Sequence, residues 1–208
     1  GLRRGVFNSV TGSGETVGGA LLRHPKTALV SFTGSSETGR QVSLACADTF
    51  KRASLEMGGK NAQIVMDDAR LDLAVDGALW GAFATAGQRC TATSRIIVHR
   101  KVHDEFVRRF IERATALKVG DPLDESNDMG PLVSEAQLKR VMDYVQIGRD
   151  EGAEPALGGV RLTKAEYGRG WYFPPTIFTG VEPKMRIARE EIFGPVVCVI
   201  PADGLEEA

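Results

Sequence analysis

The stretch GQRCTATSR, residues 87–95, places a cysteine among small, polar and basic residues. A thiol ionises more readily beside positive charge or hydrogen-bond donors, and the thiolate is the reactive nucleophile. Arg89 and nearby backbone amides offer such surroundings, so we interpret Cys90 as a candidate nucleophile. Most free cysteines are instead buried and inert. We apply that interpretation to Cys46 and Cys198, which lie in the apolar segments SLACADTF and VVCVIP without an activating neighbour.

Glu56 is a candidate general base. It lies near the end of the apolar segment KRASLEM and is followed by Met57 and two glycines. Open parallel sheets bind ligands outside the carboxyl ends of their strands, and a partly desolvated carboxylate at such a place can accept a proton. The alternative is a carboxylate that only accepts hydrogen bonds from nearby backbone amides. The residues by themselves leave both interpretations open.

Two glycine-rich turns precede predicted helices, and such turns bring backbone amides close to a phosphate at a helix N-terminus. Gly12, Gly14 and Gly18 are spaced G-x-G-x-x-x-G, whereas Gly34 and Gly39 are spaced G-x-x-x-x-G without the lysine of a P-loop. Neither spacing fits the usual dinucleotide fingerprint. The turns alone therefore leave it equally open whether these glycines serve only the fold or bind a phosphate.

The elements that must position these residues alternate between strand and helix, which predicts an α/β fold with parallel strands and right-handed crossovers. In residues 1–58 the pattern predicts β-α-β-α-β, and a second α/β region follows from residue 59. Ser134 and Gln137 have the spacing of a capping box at the start of a helix. The predicted strands are GVFNSV, TALVSF, KRASLEM, NAQIVM, RIIVH, WYFPPTIF and GPVVCVIP, and the predicted helices include LDLAVDGALWGAFATAG before Cys90.

The composition of the chain argues against several classes of function. Twenty-six Lys and Arg face 27 Asp and Glu, so the net charge of −1 argues against a nucleic-acid or anionic-membrane partner. The chain has no apolar run of membrane-helix length, no signal-peptide pattern at its start and no Cys/His spacing typical of zinc. Three scattered cysteines predict a reducing compartment, hence the cytoplasm. The chain also begins without Met, as expected for a piece of a longer protein.

Taken together, the motifs resemble those of the aldehyde dehydrogenase superfamily. The stretches FTGSSETG, LEMGGKNAQIV, GQRCTATSR, DMGPLVSEAQ and REEIFGPVV appear in the family's order and cover essentially the whole chain. The resemblance implies a partial Rossmann-like cofactor-binding sheet in residues 1–58, followed by the α/β catalytic domain of that fold in residues 59–208, without its C-terminal end. It also implies NAD or NADP as the cofactor and a small-molecule aldehyde as the substrate.

The resemblance implies a role for each matching residue. Cys90 matches the catalytic nucleophile and Glu56 the general base. The residues implied to contact the cofactor are Gly34, Ser35 and Gly39 beside the pyrophosphate, Met57, Glu191 and Phe193 around the nicotinamide and its ribose, and Gln137 and Arg140 on a nearby helix. No metal is implied.

The implied reaction oxidises an aldehyde to a carboxylic acid through a thiohemiacetal and then a thioester on Cys90. The Cys90 amide holds the oxyanion together with an asparagine outside this chain, and Glu56 activates the water that hydrolyses the thioester. Family members are considerably longer than 208 residues. The resemblance also implies a homodimeric or homotetrameric full-length enzyme. Because part of the oxyanion hole and of the cofactor pocket lies outside this chain, we expect no useful dehydrogenase activity from residues 1–208 alone.

Two alternatives stay open. One is a reductive relative that acts on an acyl phosphate, such as a glutamyl-phosphate reductase, although such an enzyme would not need Glu56 to hydrolyse a thioester. The other is a non-catalytic protein that uses the same scaffold, although loss of Cys90 or Glu56 would be expected there and both are present.

Overall fold

The computed structural model describes residues 1–164 and 167–208. They form two compact units, Gly1–Gly58 and Gly59–Ala208. Among the described residues, no helix has the length and apolar character needed to cross a membrane.

The first unit contains a two-stranded parallel sheet with helices before and between the strands. The strands pair in register from Leu29 opposite Arg52 to Gly34 opposite Met57. Its elements are a π-helical turn (Gly14–Gly18), α1 (Gly19–Arg23), β1 (Leu29–Gly34), α2 (Ser36–Ala47) and β2 (Arg52–Met57).

The predicted strand at residues 5–10 is wrong. These residues form turns and irregular backbone, and Val6, Phe7 and Val10 are exposed. A strand is stable only when a neighbouring strand completes its hydrogen bonds and covers its apolar face, and no described residue pairs with this segment. The predicted β-α-β-α-β order is therefore reduced to α-β-α-β.

The second unit is built on a five-stranded sheet of order β3-β4-β7-β6-β5, in which only β5 is antiparallel to its neighbour. Its central strand β7 carries the run VVCVI, all of it buried, as expected for a parallel strand covered on both faces. The elements are β3 (Asn61–Val65), α3 (Leu71–Phe83), a 3-10 turn (Ala84–Gly87), β4 (Thr93–His99), α4 (Arg100–Thr115), α5 (Glu135–Asp150), β5 (Glu154–Leu157), β6 (Thr176–Thr179), α6 (Arg186–Arg189) and β7 (Val196–Ala202).

Helix α4 shows how the apolar pattern builds the core. Phe106, Phe110 and Ala114 recur at every fourth position and are all buried, so one stripe of the helix faces the sheet. The ring of Phe110 stacks on that of Phe83 from α3, with centroids 5.7 Å apart. The helices on this face are thereby fixed over β4 and β7, whose ends lead to the functional segments.

Two predicted elements are shorter than expected. The strand predicted for WYFPPTIF begins only at Thr176, because Pro174 and Pro175 have no N–H to donate to a neighbouring strand. The helix predicted to reach Gly87 ends at Phe83, since Thr85 and Ala86 have φ angles of 55° and 54°. This left-handed backbone cannot continue an α-helix. Strand β5 was not indicated by the sequence pattern.

Candidate active site

In the first unit, the predicted site residues lie at the carboxyl ends of the two parallel strands. Thr33 is opposite Glu56, and Gly34 is opposite Met57. Helix α2 begins immediately afterwards, with Ser35 as its N-cap residue; the Ser35 hydroxyl accepts a hydrogen bond from the Thr38 amide at 3.2 Å. The structure therefore places a helix N-terminus beside the end of the Glu56 strand, which is where open parallel sheets bind ligands.

Two glycines in this region are required by packing. A Cβ on Gly39 would lie 2.5 Å from the Met57 sulfur, and one on Gly34 would lie 2.5 Å from the ring of Phe32. The absent side chain of Gly39 lets α2 lie close to the end of β2, whereas that of Gly34 leaves room for the Phe32 ring of the same strand. A role of these glycines in binding a phosphate stays a prediction.

Glu56 is exposed within β2. Among the residues that the structure describes, its carboxylate makes no hydrogen bond, so it is not the amide-bonded carboxylate of the alternative interpretation. The partial desolvation expected from the sequence is not observed in this unit. A strand side chain at the sheet's edge has few neighbours to exclude water from it.

In the second unit, Cys90 lies in the connector between the 3-10 turn and β4. It is exposed, whereas Cys46 and Cys198 are buried, as predicted. Neither its thiol nor its backbone N–H makes a hydrogen bond within residues 1–164 and 167–208. A reachable sulfur therefore stands next to an N–H donor that is free to bind an oxyanion.

The backbone around Cys90 is held by amide side chains that sequence reasoning missed. The Asn61 side-chain amide donates to the carbonyl oxygens of Cys90 and Ala92 at 2.6 and 3.2 Å. The Gln88 side-chain oxygen accepts from the Val133 amide at 2.9 Å. The polar residue at the start of β3 could have been noticed, but nothing local in the sequence indicates its partner 29 residues away.

The Arg89 side chain is bound to α3, and its effect on the Cys90 thiol stays a prediction. Its guanidinium donates to the carbonyl oxygens of Trp80 and Gly81 at 3.0 and 3.4 Å and lies over the Trp80 ring, 4.1 Å from the centroid. The side chain thus closes the C-terminal end of α3, where unpaired carbonyls attract donors. Its contacts are structural ones with α3.

The segment that carries Glu191 and Phe193 contacts the same connector. A Cβ on Gly87 would lie 2.1 Å from the Gly194 carbonyl oxygen, so the two backbones touch where Gly87 has φ +67°. One carboxylate oxygen of Glu191 accepts a hydrogen bond from the Gly59 amide at 3.3 Å. The structure therefore places the segment of Glu191 and Phe193 against the connector that leads to Cys90; that these residues share a site stays a prediction.

Gln137 and Arg140 also reach this segment, through its backbone. The Gln137 side-chain nitrogen donates to the carbonyl oxygens of Ile192 and Phe193 at 3.0 and 2.8 Å, and Arg140 donates to that of Glu191 at 2.5 Å. The capping box is therefore only half formed. Ser134 accepts from the Gln137 amide at 3.2 Å, but among the described residues the Gln137 side-chain oxygen accepts no hydrogen bond from the Ser134 N–H; the side chain is instead held at the distant carbonyls through its nitrogen.

The sequence model of the aldehyde dehydrogenase family matches residues 1–208 of this chain. The chain belongs to the aldehyde dehydrogenase family. The expected resemblance is confirmed. The chain is 45% identical over all of its length to a betaine aldehyde dehydrogenase of Mesorhizobium japonicum and 43% identical to an alpha-ketoglutaric semialdehyde dehydrogenase of Bacillus subtilis, and it spans 42% and 43% of their lengths.

The fold of the family is confirmed as well. A crystal structure of betaine aldehyde dehydrogenase from Staphylococcus aureus in complex with NAD+ superimposes with a TM-score of 0.93 at 39% identity. The match covers 95% of this chain and 39% of that one. The chain therefore has the α/β architecture of an aldehyde dehydrogenase over about two-fifths of the length of such proteins.

We predict that Cys90 is the most reactive thiol of this aldehyde dehydrogenase family protein. It is exposed, whereas burial raises the pKa of the Cys198 thiol to about 11 and Cys46 is enclosed by α2 and its neighbours. Limiting iodoacetamide should label Cys90 at least about tenfold faster than either buried thiol. Peptide mapping by mass spectrometry measures the three rates in the folded full-length protein, and faster labelling of Cys46 or Cys198 would contradict the prediction.

Lys60 is an unexpected buried amine beside Glu191. Its Nζ atom is buried and has no hydrogen-bond partner among the residues described. Burial lowers the pKa of Lys60 to about 8; nearby Cys198, Glu191 and Glu190 oppose this shift, and Arg95 adds to it. Sequence reasoning missed Lys60 because GGKN has no feature of a buried segment.

The lowered pKa of Lys60 predicts a pH-dependent stability difference. Because the unfolded chain has the ordinary pKa of 10.5, the folded protein binds fewer protons between about pH 8 and 10.5, so Lys60 destabilises it fully below pH 8 and progressively less above. Lys60→Met should therefore be more stable than the parent by a constant amount below pH 8, and the difference should shrink towards pH 10.5. Urea unfolding at a series of pH values measures this difference, with the exposed Lys139→Met as control. A stability difference that does not change with pH would show that the pKa of Lys60 is not lowered in the folded protein.

Proposed function

We propose that the full-length protein oxidises an aldehyde to a carboxylic acid with NAD+ or NADP+, through a thiohemiacetal and a thioester on Cys90. The exposed position of Cys90, beside its own unpaired N–H, carries this proposal. The named activities of the betaine aldehyde and semialdehyde dehydrogenases agree with it. We assign the activity to the full-length protein and expect no useful dehydrogenase activity from residues 1–208 alone.

The described residues fit a dinucleotide cofactor. The N-terminus of α2, a helix of 12 residues, offers backbone N–H groups and a positive dipole end to a phosphate next to Gly34 and Ser35. The Glu191 carboxylate uses one oxygen for the Gly59 amide, and its second oxygen accepts no hydrogen bond from the described residues, so it can accept from ribose hydroxyls. We accordingly propose residues 1–58 as part of the cofactor-binding domain and residues 59–208 as part of the catalytic domain.

Each proposed step uses a group that this chain supplies. The Cys90 thiolate attacks the aldehyde carbon, a C–S bond forms, and the carbonyl π electrons move to oxygen, where the Cys90 N–H stabilises the oxyanion. A nicotinamide cofactor held by these residues would accept, as hydride, the hydrogen on the thiohemiacetal carbon, so that the oxyanion electrons form the thioester C=O. Glu56 then takes a proton from water, which adds to the thioester carbon, and the C–S bond breaks to release the acid and the thiolate.

Detection of the acyl-enzyme intermediate on Cys90 tests this function. Full-length protein mixed with an aldehyde and NAD(P)+, and quenched in acid, should carry an acyl group of the substrate's mass on Cys90 that hydroxylamine removes. Betaine aldehyde and a dicarboxylic semialdehyde are suitable substrates. Omission of the nucleotide is the control, since no thioester can then form. Formation of NAD(P)H without a modified Cys90 peptide, or no NAD(P)H with any aldehyde, would overturn the proposal.

We also predict that Glu191→Ala slows the redox step of this reaction more than it weakens binding of the adenosine half of the cofactor. A carboxylate that accepts from two ribose hydroxyls orients the attached ring, and misorientation of a reacting group commonly costs on the order of 10²-fold in rate. Pre-steady-state formation of NAD(P)H measures the rate, and calorimetry with AMP measures adenosine binding. Glu154→Ala, an exposed carboxylate on β5, is the control. An unchanged pre-steady-state rate would remove Glu191 from the proposed site.

A further inference from the structure

A single hydrogen bond joins Cys90 itself to other parts of the chain that the structure describes. Its carbonyl oxygen accepts from the Asn61 side-chain nitrogen at 2.6 Å, whereas its thiol and its N–H make no hydrogen bond there. The two residues before it are held elsewhere, since the Gln88 side chain accepts from the Val133 amide and the Arg89 side chain donates to carbonyls of α3. Asn61 is therefore the residue that ties down Cys90.

Cys90 lies at the corner of a four-residue turn, Arg89–Ala92, which we call the nucleophile turn. The Ala92 N–H donates to the Arg89 carbonyl at 3.0 Å and closes the turn, so that Cys90 and Thr91 are its two central residues. This hydrogen bond keeps the shape of the turn, but it does not fix the place of the turn relative to the sheet. The position of Cys90 therefore depends on a contact from outside the turn.

The Asn61 side chain contacts the nucleophile turn at two points. Its nitrogen donates to the carbonyl oxygen of Cys90 and, at 3.2 Å, to that of Ala92. A primary amide nitrogen has two N–H groups, so each carbonyl can receive one of them. Two hydrogen bonds from one planar group restrain the rotation of the turn as well as its distance from β3.

The pairing of β3 with β4 explains why a side chain makes this contact. Asn61 lies opposite Thr93, the first residue of β4, but Ala62 lies opposite Arg95, so β4 has one residue more at this point. Such a bulge interrupts the regular backbone ladder, and β4 begins only after the nucleophile turn. The Asn61 side chain thus attaches the chain to β3 beyond the point where backbone pairing ends.

We propose that Asn61 is a positioning residue that holds the nucleophile turn against the start of β3 and thereby places the Cys90 sulfur and N–H for reaction with the aldehyde. The sulfur and the N–H must meet the carbon and the oxygen of one carbonyl group, and a misplacement of about 1 Å can cost on the order of 10²-fold in rate. This inference rests on the proposed function for its kinetic consequence. The restraint on the turn does not depend on any activity.

The test compares Asn61→Leu with Asn127→Leu in the full-length protein. Leucine is close to asparagine in size and has no donor, and the Cys90 carbonyl can be hydrated instead because it lies at an exposed position. Asn127 also binds a backbone carbonyl through its side-chain nitrogen, that of Asp121 at 3.2 Å, but in the loop before α5. It is therefore a matched control.

We expect Asn61→Leu to separate the rate of reaction from binding and from access to the thiol. The pre-steady-state rate of NAD(P)H formation at saturating aldehyde should fall by about 10- to 100-fold. Nucleotide affinity and the rate at which iodoacetamide labels Cys90 should stay within about threefold of the parent, because neither needs the aligned geometry. Asn127→Leu should match the parent in all three measurements.

Hydrogen exchange at the Ala92 amide provides a readout that is independent of activity. This amide is protected by its bond to the Arg89 carbonyl, and loss of Asn61 should let the turn open more often. Its exchange should therefore be at least about tenfold faster in Asn61→Leu and unchanged in Asn127→Leu.

Unchanged exchange at Ala92 in Asn61→Leu, or a rate of NAD(P)H formation equal to that of the parent, would overturn the proposal. So would a parallel loss of nucleotide affinity and of Cys90 labelling, which would indicate that Asn61 supports the fold of the whole region. If Asn61→Leu does not fold, Asn61→Ala with Asn127→Ala as its control replaces it in every measurement. A parent enzyme without aldehyde-dependent NAD(P)H formation would instead overturn the proposed function, and exchange at Ala92 would still decide whether Asn61 restrains the turn.

Discussion

Replacement of Cys90 by alanine in the full-length enzyme is expected to lower kcat for aldehyde oxidation by on the order of 10⁴-fold or more. The thiolate forms the only covalent bond to the substrate in the proposed reaction, so its loss leaves no thiohemiacetal from which electrons can be removed. Binding of the nucleotide should be unchanged, because the Cys90 backbone is held by Asn61 and not by the thiol. Steady-state NAD(P)H formation measures kcat, and calorimetry measures nucleotide affinity.

Cys198→Ala and Cys46→Ala are matched controls, since each removes one thiol at a buried position. Both should retain aldehyde oxidation close to that of the parent, although Cys198→Ala loses a sulfur contact to the Ile187 carbonyl, 3.3 Å away, and is expected to be slightly less stable. Aldehyde oxidation by Cys90→Ala at a rate near that of the parent would mean that Cys90 is not the nucleophile.

Replacement of Glu56 by glutamine is expected to slow thioester hydrolysis far more than the step that forms NAD(P)H. General bases contribute about 10²–10⁴-fold to the step in which they take a proton, and an amide cannot take that proton. The first turnover should therefore give a burst of NAD(P)H equal to the amount of enzyme, followed by turnover at least about 10²-fold slower than that of the parent. Stopped-flow measurement separates the two phases.

Asp48→Asn provides the control for this experiment. It makes the same change of carboxylate to amide at an exposed position, the C-cap of α2, at the opposite end of that helix from Ser35. It should show neither the burst nor the slow phase. Equal losses in both phases of Glu56→Gln would indicate that Glu56 chiefly activates the thiol or supports the fold. In Glu56→Gln the acyl group should also accumulate on Cys90, which links this result to the trapping experiment.

The distinction between the three cysteines could be predicted from the sequence because it depends on local surroundings. Cys46 and Cys198 lie in apolar segments that the core must bury, and both are buried. Cys90 lies in a polar connector, and connecting segments usually run over the protein surface; it is exposed. Glu56 was placed correctly at the carboxyl end of a strand for the same kind of reason, since the pattern of β2 ends at Met57. Its exposure was not foreseen, because the sequence does not show what surrounds a strand end.

The predicted strand at residues 5–10 failed for a different reason. Val6, Phe7 and Val10 have the character of strand residues, but β structure requires a partner, and none of the described segments pairs with this one. Its propensity therefore does not determine its structure. The helix that was expected to reach Gly87 failed because Thr85 and Ala86 adopt a left-handed backbone that their residue types do not favour.

The sequence alone determined the alternation of strands and helices, the separation of one exposed thiol from two buried ones, and the family to which the chain belongs. These properties follow from the period of apolar residues, from turn chemistry and from short motifs, all of which act over a few residues. The tertiary structure decided which side chains hold the site. Asn61 binds the Cys90 carbonyl across 29 residues, Gln137 binds the Phe193 carbonyl across 56, and Lys60 is buried beside Glu191. Such hydrogen bonds and burial depend on which segments the packed core brings together, and a local pattern cannot specify a partner that only packing supplies.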